Sequence, residues 1–141
     1  MRMLVLACLV AVALATASKI ARTSRLIAEA EPRNVAVHAD WLDMGVMSSE
    51  HDGIHYQPVL CAIMGDEVSR FVKWHEYGHM LLDRGFRTQS EREDAADACA
   101  ARYAPRDATL ETIAWLRNRN DAGDEYHRPS AERATLIEKS L

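Results

Sequence analysis

The stretch "WHEYGHMLLD", Trp74 to Asp83, carries two histidines four residues apart, with a glutamate directly after the first. Around it, apolar residues recur every three or four positions, which is typical of one face of an α-helix. His75 and His79 fall on that face, so the sequence predicts that both imidazoles point toward the protein interior. Glu76 lies about 100° further round the helix, at the edge of the same face.

The pattern H-E-x-x-H indicates a metal centre. Histidines at positions i and i+4 of a helix can bind one zinc ion at about 2.0–2.1 Å. Glu76 is offset too far to bind that ion, but it can hold a zinc-bound water and serve as its general base. Zinc lowers the pKa of such a water to about 7 and polarises a carbonyl group. The alternative is two histidines at the edge of the core, satisfied by hydrogen bonds.

A third ligand is expected on the next predicted helix, within "SEREDAADACA". A catalytic zinc site has three protein ligands and a water, whereas a structural site has four protein ligands. Glu93 and Asp97 share a face of this helix, so we expect Glu93 to bind zinc and Asp97 to orient a ligand histidine. Glu93 could instead close a capping box with Ser90. The same pattern at Thr88 and Glu91 would leave Glu93 free.

The pair "HEYGH" and "EDAAD" resembles the zincin metallopeptidases of the gluzincin type, which carry H-E-x-x-H and then E-x-x-A-D. These include the CAAX prenyl protease and HtpX-like groups and related neutral zinc metallopeptidases. The resemblance implies that Glu93 is the third zinc ligand and that Asp97 supports the site. It covers Gly65 to about Ile137, roughly half of the chain.

The same resemblance implies a fold and a substrate. The expected fold is α+β, a minimal zincin-like domain with a small, mostly antiparallel sheet packed on the H-E-x-x-H helix and further helices. The substrate would be a peptide or protein that pairs, extended, with an edge strand. The segment that contains Pro58 is the nearest candidate for that edge, because proline is found in sheets mainly at edges and bulges.

A further segment, "HRPSAER", His127 to Arg133, is similar to the H-P-x-x-x-x-R segment of these families. The spacing from histidine to arginine agrees, but Arg128 stands where the families have proline. The resemblance implies that Arg133 and His127 support the active-site cleft or the developing oxyanion. The alternative is that Arg133 is a surface charge and His127 a loop residue.

The start of the chain predicts a compartment. Arg2 precedes an apolar run from Met3 to Ala15, and an A-T-A pattern ends at Ala17. These features are typical of a secretory signal peptide cleaved after Ala17, which would leave a single domain, 18–141, in a secreted or periplasmic protein. The apolar run is too short to span a bilayer, although an uncleaved anchor is the alternative.

Two cysteines outside the predicted signal peptide leave a choice open. In an oxidising compartment Cys61 and Cys99 could form a disulfide, or they could be two separately buried thiols.

Upstream of the predicted H-E-x-x-H helix, the segment 48–53 is predicted as a turn and Ile54–Met64 as a strand-like run.

Composition limits the function classes. The chain has 141 residues, 48% hydrophobic and 27% charged, which is typical of one globular domain. The net charge is −4 and no basic stripe is present, so no nucleic-acid partner is expected.

The sequence predicts a zinc metallopeptidase; the alternative is a non-catalytic zincin-like protein that binds zinc or a protein partner. The histidines at positions 38, 51 and 55 are interpreted as surface or cleft-rim residues.

Overall fold

The protein combines six helices with one small sheet in the part of the chain described by a computed structural model. That part comprises residues 2–42, 45–82, 85, 88–119 and 121–141, with side chains from residue 9 onward. The α+β class is confirmed. The elements in chain order are α1 (Arg2–Glu29), β1 (Val37–Ala39), β2 (Met47–Glu50), β3 (Gly53–Tyr56), α2 (Pro58–Met64), α3 (Asp66–Leu82), α4 (Gln89–Tyr103), α5 (Arg106–Arg119) and α6 (Ser130–Lys139).

The sheet has the strand order β1-β3-β2. β3 pairs antiparallel with β2 and parallel with β1, so the sheet is mixed and one of its two pairs is antiparallel. The prediction of a turn over 48–53 is wrong for Ser48, Ser49 and Glu50, which lie in β2. The hairpin turns at His51 and Asp52, and Gly53, which pairs with Glu50, begins β3.

The prediction of a strand through Pro58 is also wrong. β3 ends at Tyr56, and Pro58 is the first residue of α2. Proline is favoured there because the first helical N–H has no intrahelical partner to lose. The side chain of Gln57 caps this helix by accepting a hydrogen bond from the backbone N–H of Leu60 at 2.7 Å. The sheet edge that packs against α3 is therefore β2.

α3 and α4 approach each other closely because their contact consists of small residues. Ala96 and Ala100 are buried, as expected for a close helix contact. A Cβ atom added at Gly78 would lie 3.1 Å from both the Cα of Ala96 and the Cβ of Cys99. Only glycine fits at this position without a shift of one helix, and this short separation brings the ligand-type residues of α4 to those of α3.

The last turns of α1 belong to the folded domain. Residues 9–19 are exposed, whereas Thr23 and Ile27 are fully buried. Lys73 of α3, also fully buried, donates hydrogen bonds from Nζ to the carbonyl oxygens of Ile27 at 2.9 Å and Ala30 at 2.6 Å. It thereby satisfies carbonyls at the end of α1 that lack intrahelical partners. Within the described residues, no helix is both long and apolar enough to cross a membrane.

The two cysteines do not form a bridge. Cys61 in α2 and Cys99 in α4 are both free and buried. Of the two alternatives that the sequence leaves open, the structure has the pair of buried thiols.

Candidate metal centre

Three predicted ligands converge between α3 and α4. The Nε2 atoms of His75 and His79 lie 3.1 Å apart. Glu93 of α4 places Oε2 3.2 Å from His75 Nε2 and Oε1 3.4 Å from His79 Nε2. One ligand atom from each of the three residues lies within 4.8 Å of the other two. The tertiary structure therefore brings together the set of residues that the motifs indicate.

The donor set fits zinc. Two imidazole nitrogens and one carboxylate oxygen are the ligands of catalytic zinc sites that keep an open position. Oε2 of Glu93 is buried and accepts no hydrogen bond from the described part of the chain. A buried carboxylate oxygen without a partner is costly. A cation held by His75, His79 and Glu93 would satisfy that oxygen.

The start of α4 explains why Glu93 is available. The hydroxyl of Thr88 accepts from the N–H of Glu91 at 3.1 Å, and the carboxylate of Glu91 accepts from the N–H of Thr88 at 3.1 Å. This reciprocal capping box is the second of the two that the sequence allows. Glu93 therefore lies one turn into the helix, where Gln89 donates to its Oε1 at 2.9 Å.

Asp97 orients the first histidine. Its Oδ1 lies 2.8 Å from Nδ1 of His75, so the Nε2 atom of that ring faces Glu93. Burial disfavours protonation of His75, but the acidic groups around the ring, Asp97 first and then Glu93 and Glu76, together outweigh burial and raise the pKa of His75 to about 10. Burial likewise disfavours ionisation of Asp97, but His75 and Arg133 hold its pKa at about 2. This is the supporting role expected for Asp97.

Arg133 lies behind the centre and holds Asp97. It donates from Nε to Oδ2 at 2.9 Å and from Nη2 to Oδ1 at 2.8 Å. Such a bidentate pair fixes both the position and the charge of the carboxylate. These contacts are compatible with one of the two roles expected for Arg133, support of the cleft through Asp97.

Glu76 is buried at the edge of the centre, as its helical offset predicts. Burial raises its pKa, and although the nearby histidines oppose this, the pKa stays above its ordinary value. Ser49 of β2 makes a hydrogen bond to its carboxyl group. A carboxyl with a raised pKa is suited to accept and return a proton. The contact with Ser49 is not evident from the sequence, because the segment around Ser49 is predicted as a turn.

His127 reaches the centre from the loop after α5. Its Nε2 lies 3.4 Å from Oε2 of Glu93, and its Nδ1 lies 3.1 Å from Oδ1 of Asp124. The nearby carboxylate of Glu93 raises the pKa of His127. Gly123, with φ of +77°, shapes this loop, because a Cβ there would lie 2.5 Å from the carbonyl oxygen of His127.

Arg128, the residue after His127, anchors the same loop. Arg128 donates from Nε to Oδ1 of Asp94 at 2.9 Å and from Nη2 to Oδ2 at 2.9 Å. Asp94, next to Glu93, is therefore ion-paired with Arg128. Arg128 and Asp94 thus tie the loop of His127 to the helix of Glu93.

Two cavities meet at the centre. A polar cavity of about 270 Å³ lies between β2 and the three ligand residues. A larger cavity of about 510 Å³ extends from His75 and Glu76 toward α5. Its apolar lining includes Met64, Phe71, Val72, Trp115 and Leu116.

Comparisons of the chain with protein-family models, with curated proteins and with solved structures find no match. The functional interpretation therefore depends on the side chains of this centre and on the motifs that contain them.

Proposed function

We propose that the protein is a secreted or periplasmic zinc-dependent peptidase. One observation carries the proposal: His75, His79 and Glu93 offer three ligand atoms within 4.8 Å of one another, beside a buried glutamate. A structural zinc site would not need Glu76, and burying a carboxylate that does not bind the metal is costly. A hydrolytic site needs such a group next to the reacting water.

The residues have separate roles in this proposal. His75, His79 and Glu93 hold zinc, which when bound supplies Lewis acidity and makes water more acidic. Glu76 accepts a proton from the attacking water and returns it to the amine that leaves. Its raised pKa favours both transfers, since the ideal pKa for a proton-transfer group lies near the working pH.

The substrate of the proposed reaction is a peptide in an extended conformation. β2 is an edge strand and packs against α3, so its free edge can pair with a peptide backbone next to Glu76. The cavity of about 510 Å³ adjoins the same glutamate and can take an apolar side chain of the substrate. We expect a preference for a large apolar residue next to the cleaved bond.

A second candidate function is a non-catalytic, zinc-stabilised binding protein. The observation that favours it is the position of His127, whose Nε2 lies 3.4 Å from Glu93 Oε2, as near to that carboxylate as His79 is. If His127 were a fourth ligand, the site would be closed, as structural zinc sites are. In that case His127→Ala would weaken zinc binding strongly, whereas in a peptidase it would lower turnover and leave zinc in place.

The Glu76→Gln variant tests the peptidase directly. Glutamine keeps the size of the side chain but cannot accept a proton, so hydrolysis of a peptide library should fall by several orders of magnitude with zinc retained. Glu67→Gln is the matched control, because Glu67 lies on the same helix and pairs with Arg70. A wild-type protein that holds zinc and cleaves no peptide would favour the binding protein. Equal cleavage by wild type and Glu76→Gln would refute the mechanism.

The proposed location rests on residues 1–17 acting as a signal peptide. Residues 9–19 of α1 are exposed, and the first fully buried side chain after them is Thr23. The residues from 9 to 17 that cleavage after Ala17 would remove therefore contribute little packing to the domain. Mass spectrometry of the protein exported by a bacterial host should show a chain that begins at Ser18.

A further inference from the structure

A second group of ligand-type side chains lies on the outer face of the sheet. His38 of β1 and His55 of β3 are paired in register, and their ring centroids lie 4.9 Å apart. Ile54 and Tyr56 of β3 are buried in the core beneath the sheet. Because side chains alternate along a strand, His55 points to the opposite side, away from α3 and its centre.

Asp52, in the turn between β2 and β3, faces both rings. Its Oδ1 lies 3.0 Å from Nε2 of His55, and its Oδ2 lies 3.9 Å from Nε2 of His38. The Nε2 of His38 also lies 3.3 Å from the backbone oxygen of Asp52. Both imidazoles therefore direct their Nε2 atoms toward Asp52.

These distances suit a metal ion. One ligand atom from each of the three residues lies within 4.8 Å of the other two. Around a tetrahedral zinc ion with bonds of about 2.0–2.1 Å, neighbouring ligand atoms are about 3.4 Å apart. The separations of 3.0 Å to Oδ1 and 3.9 Å to Oδ2 lie on either side of that value, so small side-chain rotations would bring both ring nitrogens and one carboxylate oxygen to one ion.

Hydrogen bonding alone accounts for only part of the arrangement. A surface pair of His55 and Asp52 needs no second imidazole, yet the ring of His38 lies beside that of His55, tilted by 36°. Two protonated rings at this separation would repel each other. Two neutral imidazoles and a carboxylate, in contrast, form a donor set preferred by zinc and its neighbours among the divalent transition metals.

We propose that His38, Asp52 and His55 form a second binding site for a divalent transition-metal ion, separate from the centre at His75. The side chains of His38 and Asp52 are 45% and 48% exposed, so water can fill the remaining coordination positions. The ion ties β1, β3 and the β2–β3 turn together. It thereby stabilises the hairpin that carries Ser49, the partner of Glu76.

Zinc stoichiometry tests this site. The full chain and its variants, stripped with a chelator, are dialysed against micromolar zinc chloride, and bound zinc is measured by mass spectrometry. The criterion is the difference between wild type and His38→Ala: the variant should bind one zinc ion fewer per chain. Far-UV circular dichroism checks the fold, and His38→Phe, which keeps an aromatic ring, replaces His38→Ala if that variant unfolds.

His51→Ala is the matched control, because His51 is an exposed histidine in the same turn. Its ligand atom lies within 4.8 Å of those of Glu50 and Asp52, which makes that trio the competing site. Retention of zinc by His51→Ala, with loss in His38→Ala, supports the proposal. Equal zinc content in wild type and His38→Ala overturns it, as does a loss confined to His51→Ala. Neither result depends on Glu93, whose own variant tests the first centre.

Discussion

Asp97 Oδ1 lies 2.8 Å from Nδ1 of His75, and the whole interaction is buried. This contact selects the ring nitrogen that His75 presents to the metal centre, since the other nitrogen is already engaged. It also links the centre to α6, because Arg133 holds both oxygens of the same carboxylate. The orientation of one ligand thus depends on three helices.

Asp97→Asn should weaken zinc binding by about 10- to 100-fold, the usual effect of removing a group that orients a metal-bound histidine. Arg133→Met should have a smaller effect in the same direction, because Asp97 stays but loses its bidentate partner. Competition with a chromophoric chelator measures both affinities. Arg117→Met is the control, since Arg117 forms an exposed pair with Glu138. Unchanged zinc affinity in both Asp97→Asn and Arg133→Met would mean that these two residues do not orient His75 for the metal.

Glu93→Gln should abolish tight zinc binding while the fold persists, because the substitution removes the only charge among the three ligands. Glu91→Gln provides the comparison. That variant weakens the capping box and should lower the free energy of unfolding by about 1 kcal/mol, with zinc retained. Zinc analysis and thermal melts of the two variants distinguish zinc binding by Glu93 from helix capping by Glu91. If Glu91→Gln lost zinc and Glu93→Gln kept it, the assignment of the third ligand would be wrong.

Gly78→Ala should lower both stability and zinc affinity. At an open helix position this change stabilises a protein by about 1 kcal/mol. Here the new methyl group would lie 3.1 Å from the Cα of Ala96, so α4 must move away and carry Glu93 with it. Thermal melts with and without zinc measure the two effects. A more stable variant with unchanged zinc affinity would show that the helices are not in tight contact.

Lys73→Met should destabilise the domain by about 1–3 kcal/mol, the cost of leaving a buried polar group unsatisfied. Methionine fills most of the same space but cannot donate to the carbonyl oxygens of Ile27 and Ala30, which the lysine contacts at 2.9 and 2.6 Å. Urea unfolding measures the change. The exposed Lys139→Met is the control and should leave the unfolding midpoint in place.

Thiol labelling should distinguish the folded from the unfolded chain. Burial raises the pKa of Cys61 to about 12 and also raises the pKa of Cys99. Since the thiolate is the reactive form, both should label slowly at pH 8 in the native protein. In a chain that begins at Ser18, denaturation without a reducing agent should expose two reactive thiols. Their absence would mean that Cys61 and Cys99 are oxidised to a disulfide after all.

The helical part of the centre could be predicted because its information is local. His75, Glu76 and His79 occupy one helix, whose period alone orients them. Glu93 and Asp97 likewise occupy one face of the next helix. The small residues Ala96 and Ala100 indicate that this face packs closely, and the structure confirms their burial.

The sheet could not be predicted as well, because strand pairing depends on contacts between residues far apart in the chain. Pro58 is compatible with a strand edge and with a helix start, and Gln57 decides between them by capping α2. The hairpin that turns at His51 and Asp52 joins β2 to β3, and β2 is the strand that packs most on α3. Ser49 lies near Glu76, and His38 near His55, only once the strands pair in this register.

By itself, the sequence determined the spacing of His75 and His79 and the offset of Glu76, since both follow from the period of one helix, while the expected α+β class came from the family resemblance. The tertiary structure alone decided which atoms meet: Arg133 with Asp97, His127 with Glu93, and Cys61 apart from Cys99. Those contacts join separate elements, and packing sets their distances; between α3 and α4 the absence of a side chain at Gly78 allows the close approach. Local periodicity orients a side chain, but only the packed core brings it to a partner.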